Sequence, residues 1–224
     1  MNHIGPFTES QYTVLIGDVE DSRGLPDRAG AQRGLQQALR RLNEELEHEL
    51  AAPLALTAGD EIQGLLNSPE VAVSIIVRLA DELFPVRLIY GLGTGALATG
   101  ISSHVAEIDG PAFHRARNAL TAAGHTGSWL AAEGFGPELD RALSALFHLM
   151  SAIRSRWTGK QASYTAAART MMQKDVAGQF GVSPSVISES LKSASFEAVM
   201  VGEEAARQLL SAFRSRQLAA ANHP

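Results

Sequence analysis

Leu56-Thr57-Ala58-Gly59-Asp60-Glu61-Ile62-Gln63-Gly64-Leu65 fixes where this chain turns back on itself. An apolar run from Pro53 to Leu56 stops at Ala58-Gly59, two adjacent carboxylates follow, and apolar character resumes through Ile62, Leu65 and Leu66. The pattern predicts a tight hairpin with acid at its tip. Upstream, Tyr12-Thr13-Val14-Leu15-Ile16-Gly17-Asp18-Val19 has a buried-strand pattern that also ends in a carboxylate. A strand-end Asp18 and a hairpin Asp60, each preceded by glycine and with Glu61 alongside, are candidate ligands for a hard cation. Oxygen donors suit Mg²⁺ or Mn²⁺, and Mg²⁺ usually takes only one or two protein carboxylates, leaving phosphates and water to complete its shell. Two ionised carboxylates about 4 Å apart repel by roughly 4 kcal/mol at an effective dielectric of about 20. A cation, a shared proton or distance must relieve that repulsion. The bland alternative makes Asp60 and Glu61 solvated turn residues.

Outward from the hairpin, the remaining elements fall into order. Residues 1–10 read as a loose tail, and Asp18 to Arg28 as a polar loop punctuated by Gly24 and Pro26. Ala31 to Leu50 predicts a helix, since Leu35, Ala38, Leu39, Leu42, Leu46 and Leu50 keep to one face. Ser68-Pro69-Glu70 is a helix start, with Ser as cap and Pro in the first turn, and Val71 to Phe84 is the helix it opens. Pro85 ends that helix, and Val86 to Leu92 returns as a strand. The predicted fold is mixed α/β (α+β), a ferredoxin-like β-α-β-β-α-β sheet with its helices on one face. In that topology Asp18 leaves the first strand where Asp60 leaves the second.

Three further features invite chemistry. Gly91-Leu92-Gly93-Thr94-Gly95 lacks both the G-x-G-x-x-G spacing and a P-loop lysine, so a tight turn after the strand is expected rather than a phosphate cradle. His104, His114 and His125 have no helix-face spacing for zinc and are expected on the surface or in loops. Gly110-Pro111 opens another helix whose first turns carry Arg115, Arg117 and Asn118, either a solvated basic face or donors for a bound phosphate.

The composition divides the chain. Residues 1–150 carry 10 Arg, no Lys and 19 acids, a formal charge of −9, whereas residues 151–224 carry 9 Lys and Arg and 5 acids, a charge of +4. Only the second part suits a polyanion. The 224 residues contain no cysteine, which excludes disulfides, thiolate zinc sites and cysteine nucleophiles. Neither a signal-peptide pattern nor a long apolar run is present, so a cytoplasmic protein without a membrane span is expected.

Pro137 to Trp157 predicts a long helix with Leu139, Leu143, Leu146, Phe147, Met150 and Ile153 on one stripe, serving either as a link and dimer contact or as core within one chain. Beyond it, Gln173 to Lys192 has the pattern of a helix-turn-helix. Ala177 is small where helices cross, Gly181 permits the turn, Val182 plugs the core, Ser183 caps the second helix and Pro184 takes its first position. Val186, Ile187 and Leu191 are expected to face inward. Gln173, Lys174, Ser183, Ser185, Ser188, Glu189 and Lys192 are the candidate DNA contacts, on a homodimer reading a palindromic site. The alternative is a helix-turn-helix retained for packing.

The order of pieces over residues 11–125 resembles the class III nucleotidyl cyclase domain and its relative, the GGDEF diguanylate cyclase palm. The matching motifs are Gly17-Asp18-Val19-Glu20-Asp21-Ser22, Ala58-Gly59-Asp60-Glu61-Ile62, Val86 to Gly93 and Gly110 to Ala116. The resemblance implies metal ligation by Asp18 and Asp60. It also implies a nucleotide bound near Val19, Ser22, Arg23 and Gly59 and along the helix bearing His114, Arg115, Arg117 and Asn118. Where cyclases place Asn and Arg four residues apart to stabilise the transferring phosphate, this chain has His114 and Asn118, so efficient cyclisation is not expected. Taken whole, with Ile153 to Gln161 and the C-terminal residues included, the chain resembles the SatD family of bacterial proteins. That resemblance implies a cyclase-like domain (1–135), a linking helix (136–160) and a helix-turn-helix domain (161–224).

The function expected on these grounds is a DNA-binding transcriptional regulator whose cyclase-like domain binds a metal-nucleotide with Mg²⁺ or Mn²⁺. An active nucleotidyl cyclase or related phosphotransferase is one alternative. A non-catalytic protein-interaction scaffold is another.

Overall fold

A computed structural model describes residues 11–57 and 59–221 of the chain; the predicted N-terminal tail and Ala58 of the hairpin motif lie outside the described residues. Strand β1 (Tyr12–Val19) leads to helix α1 (Arg28–Glu45), the hairpin β2 (Leu50–Leu56) and β3 (Ile62–Leu66), helix α2 (Val71–Glu82) and strand β4 (Leu88–Gly95). Helix α3 (Pro111–Thr126), strand β5 (Leu130–Glu133) and helices α4 (Pro137–Arg154), α5 (Gly159–Ala168), α6 (Gln173–Phe180), α7 (Pro184–Ser193) and α8 (Phe196–Ala221) follow. The fold is mixed α/β.

One five-stranded sheet runs β2-β3-β1-β4-β5, antiparallel throughout except for the parallel pair β4–β5. Gly17 lies opposite Ile62 on one side and Tyr90 on the other, so the end of β1 that carries Asp18 sits beside the start of β3. Alternation along β1 then sorts the faces. Leu15 and Val19 join α1, α2, α4 and α8 in the larger core, while Val14 and Ile16 pack with Ala112, Phe113, Ala116 and Leu120 of α3. The two helices of the β-α-β-β-α-β unit, α1 and α2, share one face as expected, and α3, which follows that unit, covers the other.

The glycine run Gly91-Leu92-Gly93-Thr94-Gly95 is strand, not turn. Its glycines answer to α3. A Cβ on Gly91 would lie 2.0 Å from the Ala116 carbonyl oxygen, and one on Gly93 would lie 2.2 Å from the Ala116 nitrogen. The helix backbone lies directly on the strand, which only residues without a side chain permit.

The stripe on α4 is core within the chain, with Leu143, Phe147 and Met150 buried and Leu139, Leu146 and Ile153 packed against them. That core continues into Trp157, Ala162, Ala194, Val199, Ala206 and Leu210, so the C-terminal helices share apolar contacts with the sheet layer. A smaller cluster of Tyr164, Val176, Ala177, Ile187 and Leu191 holds α5, α6 and α7 together. Ser68 and Pro69 precede α2 rather than cap it; the helix begins at Val71 with no side-chain cap.

Candidate functional site

β1 pairs with β3 through Gly17 and Ile62, and the charge of the hairpin Asp60 acts on Asp18. Asp18 sits near the end of β1, with its Oδ1 accepting from the Val19 N–H at 3.0 Å. Burial and the neighbouring Asp60 charge hold its carboxyl above the usual range, while the Val19 hydrogen bond opposes them. Asp60 lies in the turn after Gly59, whose φ of 72° suits glycine. Among the described residues its Oδ2 is buried with no hydrogen-bond partner. It borders a small recess of about 50 Å³ formed with Val19, Ser22, Arg28 and Gly59.

Glu61 is differently placed. Its carboxylate accepts from Gln63 Nε2 at 2.7 Å, from Thr57 Oγ1 at 3.1 Å and from Arg117, whose Nη2 lies 2.9 Å from Oε1 while Nη1 meets Oε2. Burial pushes Glu61 up, but these donors outweigh it and hold the carboxyl below its ordinary value. Its oxygens are already occupied, so it is a poorer cation ligand than either aspartate. Asp18 and Asp60 have the freer oxygens for a single divalent cation: burial and the Asp60 charge disfavour ionisation of Asp18, and Asp60 keeps a buried oxygen without a partner among the described residues. Among the described residues no group of three or more His, Cys, Asp or Glu side chains is arranged to hold a metal; His104, His114 and His125 are exposed, the last two on α3.

The four candidate residues of α3 point to four different places. His114 stands 3.7 Å from Asp109, Arg115 donates to the Thr94 carbonyl at 2.6 Å, Arg117 reaches Glu61, and Asn118 lies 3.4 Å from a Glu133 oxygen on β5. Arg117 is the one that joins the acids. Its charge is also felt at Asp18, where it lowers the carboxyl. Ser22 and Gly59 border the recess beside Asp60, whereas Arg23 is exposed in the short turn that follows β1.

In the C-terminal helices, Gly181 (φ 65°) ends α6 and Ser183 caps α7, accepting from the Val186 N–H. Gln173, Lys174, Ser183, Ser185, Ser188, Glu189 and Lys192 are all exposed. Ile187 and Leu191 face inward as expected, but Val186 is 43% exposed and belongs to the outer face.

A family model described as the SatD family matches residues 12–210. The chain belongs to the SatD family. No curated protein matches it. Among solved structures, a regulator of polyketide synthase expression from Bifidobacterium adolescentis is 15% identical, over 93% of this chain and 87% of that one, with a TM-score of 0.24.

Two features of this SatD-family chain went unmarked in its sequence. Arg28, the first residue of α1, borders the Asp60 recess and places a cation there that the polar-loop pattern did not single out. A buried ionic network also links distant helices. Asp81 of α2 accepts from Arg154 of α4 at 2.9 Å and from Arg169, and Arg169 meets the fully buried Glu203 of α8 at 2.7 and 2.8 Å. No local motif announces these four residues. Among the described residues no helix is long and apolar enough to cross a membrane.

Proposed function

We propose that this SatD-family protein is a DNA-binding transcriptional regulator whose N-terminal part, a ferredoxin-like palm related to nucleotidyl cyclases, binds a metal-nucleotide. The observation that carries the ligand half is the Asp18–Asp60 pair, with an unpartnered buried oxygen on Asp60 and burial disfavouring the charge on Asp18. A divalent cation there would offset the repulsion between the two carboxylates and supply positive charge for phosphate oxygens. Asp18 and Asp60 would hold it, with Glu61 kept back by Arg117. Ser22, Arg28 and Gly59 border the adjoining recess and are the groups available to a phosphate.

Binding without efficient cyclisation is favoured by α3. His114 and Asn118 face Asp109 and Glu133, Arg115 is committed to a backbone carbonyl, and Arg117 is neutralised by Glu61. None is a free cation poised for a transferring phosphate, and such electrostatic stabilisation is most of what accelerates phosphoryl transfer.

The DNA half is supported by α6, the Gly181 turn and α7, read as a helix-turn-helix, with Lys174, Ser185, Ser188, Glu189 and Lys192 exposed. In this reading the palm (1–135), linking helix (136–160) and reader (161–224) act in a cytoplasmic homodimer on a palindromic site.

Two experiments test the proposal. Thermal stabilisation by Mn²⁺ with each nucleoside triphosphate should vanish in Asp18→Ala and Asp60→Ala; survival in both variants sinks the ligand claim. Mobility shift on the protein's own upstream DNA should weaken with salt by about 0.9 log units per log unit for each neutralised phosphate. Lys174→Ala and Lys192→Ala should each reduce that slope by about one contact. Cyclic product released from any triphosphate would favour the enzymatic alternative instead.

A further inference from the structure

An aromatic-walled feature lies away from both sites, where the sheet layer meets the C-terminal helices. A cavity of about 240 Å³ opens between the end of α2, the start of β4, α4 and Trp157. Its apolar walls include Phe84, Pro85, Trp129 and Trp157, and the two indoles are each only 7% exposed. Its polar lining consists of Arg87, Arg154, Ser151 and Ser155; among the described residues no Asp or Glu lines it. A cavity of about 150 Å³ is enough to hold a benzene ring, so this one has room for a ring and a small polar group.

Arg154 is the key group. Its guanidinium carbon lies 4.7 Å from the Trp129 ring centre and 4.4 Å from that of Trp157. One nitrogen donates to Asp81, yet Nη1 is buried without a partner among the described residues. Asp81 is itself shared with Arg169. Burial pulls the Arg154 guanidinium below its usual pKa, which marks a cation incompletely compensated by its neighbours. Arg87 stands at the rim, half-exposed, and meets Glu20 at 3.0 Å, a surface pair that a ligand can displace at little cost.

We propose that this cavity is a binding site for a small aromatic carboxylate, with its ring against Trp129, Trp157 and Phe84 and its carboxylate toward Arg154 and Arg87. The aromatic walls supply area and stacking. The two guanidinium groups supply paired donors that match a carboxylate. Among the described residues no acid lines the cavity, which favours an anionic ligand over a cationic one. The site is independent of the proposed nucleotide and DNA functions and stands whether or not they hold.

Trp129 and Trp157 are the chain's two tryptophans, so its intrinsic fluorescence reports directly on the cavity. The full-length protein is titrated with benzoate, benzamide and benzylamine, which share a ring and differ in charge. Benzoate should change the emission saturably at millimolar concentration or below, benzamide should bind about tenfold more weakly, and benzylamine should not bind. Ser155→Phe fills the cavity from an exposed position and should weaken benzoate and benzamide alike. Arg87→Gln leaves the buried ionic network intact and should shrink the preference for benzoate over benzamide several-fold. The assignment is overturned if none of the three ligands gives a saturable change, or if benzamide matches benzoate. It is equally overturned if Ser155→Phe titrates as the parent, or if Arg87→Gln keeps the full preference.

Discussion

Arg117 on α3 and Glu61 at the base of the hairpin tip share a two-pronged ion pair, which ties the helix on one face of the sheet to the turn that carries Asp60. The pair withholds Glu61 from any cation and places a positive charge close enough to Asp18 to lower its carboxyl. Arg117→Gln removes both effects. Arg117 is 47% exposed and Glu61 keeps its bonds from Gln63 and Thr57, so the loss of stability should be only about 1 kcal/mol. Stabilisation by Mn²⁺ alone should increase, because a third carboxylate is released and a repelling cation is gone. A thermal-shift series with Mn²⁺ checks this; an unchanged or smaller response would count against Asp18 and Asp60 as ligands.

Asp18 and Glu61 impose opposite pH dependences. The Asp18 carboxyl is raised in the fold, so its contribution is fully present below its ordinary value of 3.8 and is lost as pH rises through the higher folded value. Glu61 is lowered, so its contribution is present above its ordinary value of 4.5 and disappears as pH falls through the folded value. Asp18→Asn should therefore be more stable than the parent at neutral pH without metal, with the advantage shrinking as pH falls toward 3.8. Denaturant midpoints at neutral and acid pH measure the trend. A variant less stable than the parent at neutral pH would show that Asp18 is not strained by its neighbours.

The network of Asp81, Arg154, Arg169 and Glu203 clamps α8 against the sheet layer. Burial alone would lower the Arg169 guanidinium, but hydrogen bonds to Glu203 and the charge of Asp81 outweigh it and keep the group above its ordinary pKa. Removing one member leaves a buried charge without its partner, which costs about 3–5 kcal/mol. Glu203→Ala should fall in that range and lower the Tm by roughly 10 °C. The double variant Arg169→Met/Glu203→Leu should recover most of the loss, since apolar side chains of similar volume replace the charges without leaving either unpaired. Calorimetry on the pair of variants separates these outcomes.

How far the sequence could be read depends on how local each cause is. β1, the hairpin, α1 and α2 announce themselves because their periodicity is written within each segment, and the turn chemistry around Gly181 and Ser183 is equally local. β5 is four residues, Leu130-Ala131-Ala132-Glu133, with no β-branched or aromatic side chain to mark it. α8 runs for 26 residues, yet its buried side includes Glu203, Ala206 and Leu210, and a buried glutamate breaks any apolar stripe. Its partner Arg169 lies on another element, so no window along the chain contains the reason for that burial. The placement of the hairpin beside the end of β1 could be anticipated from topology. The capture of Glu61 by Arg117 could not, because it depends on α3 crossing the far face of the sheet at a particular height.

That crossing height is set by Gly91 and Gly93, and it can be tested directly. A methyl group at Gly93 would meet the Ala116 nitrogen at 2.2 Å and the Ala112 carbonyl oxygen at 2.5 Å, both of them backbone atoms with no rotamer by which to escape. Gly93→Ala must therefore push the whole helix off the strand, at a cost of about 3 kcal/mol, the upper part of the range for overpacking. Gly100→Ala is the matched control: the residue is exposed, and a Cβ there meets nothing within 4 Å, so the change should stay within about 0.5 kcal/mol. Because α3 carries Arg117, displacement of the helix should also break the pair with Glu61. Gly93→Ala should then show the enhanced Mn²⁺ response of Arg117→Gln on top of its lower stability, and combining the two substitutions should add nothing further to that response. Full additivity of the two Mn²⁺ effects would mean that the strand glycines position α3 without governing the reach of Arg117.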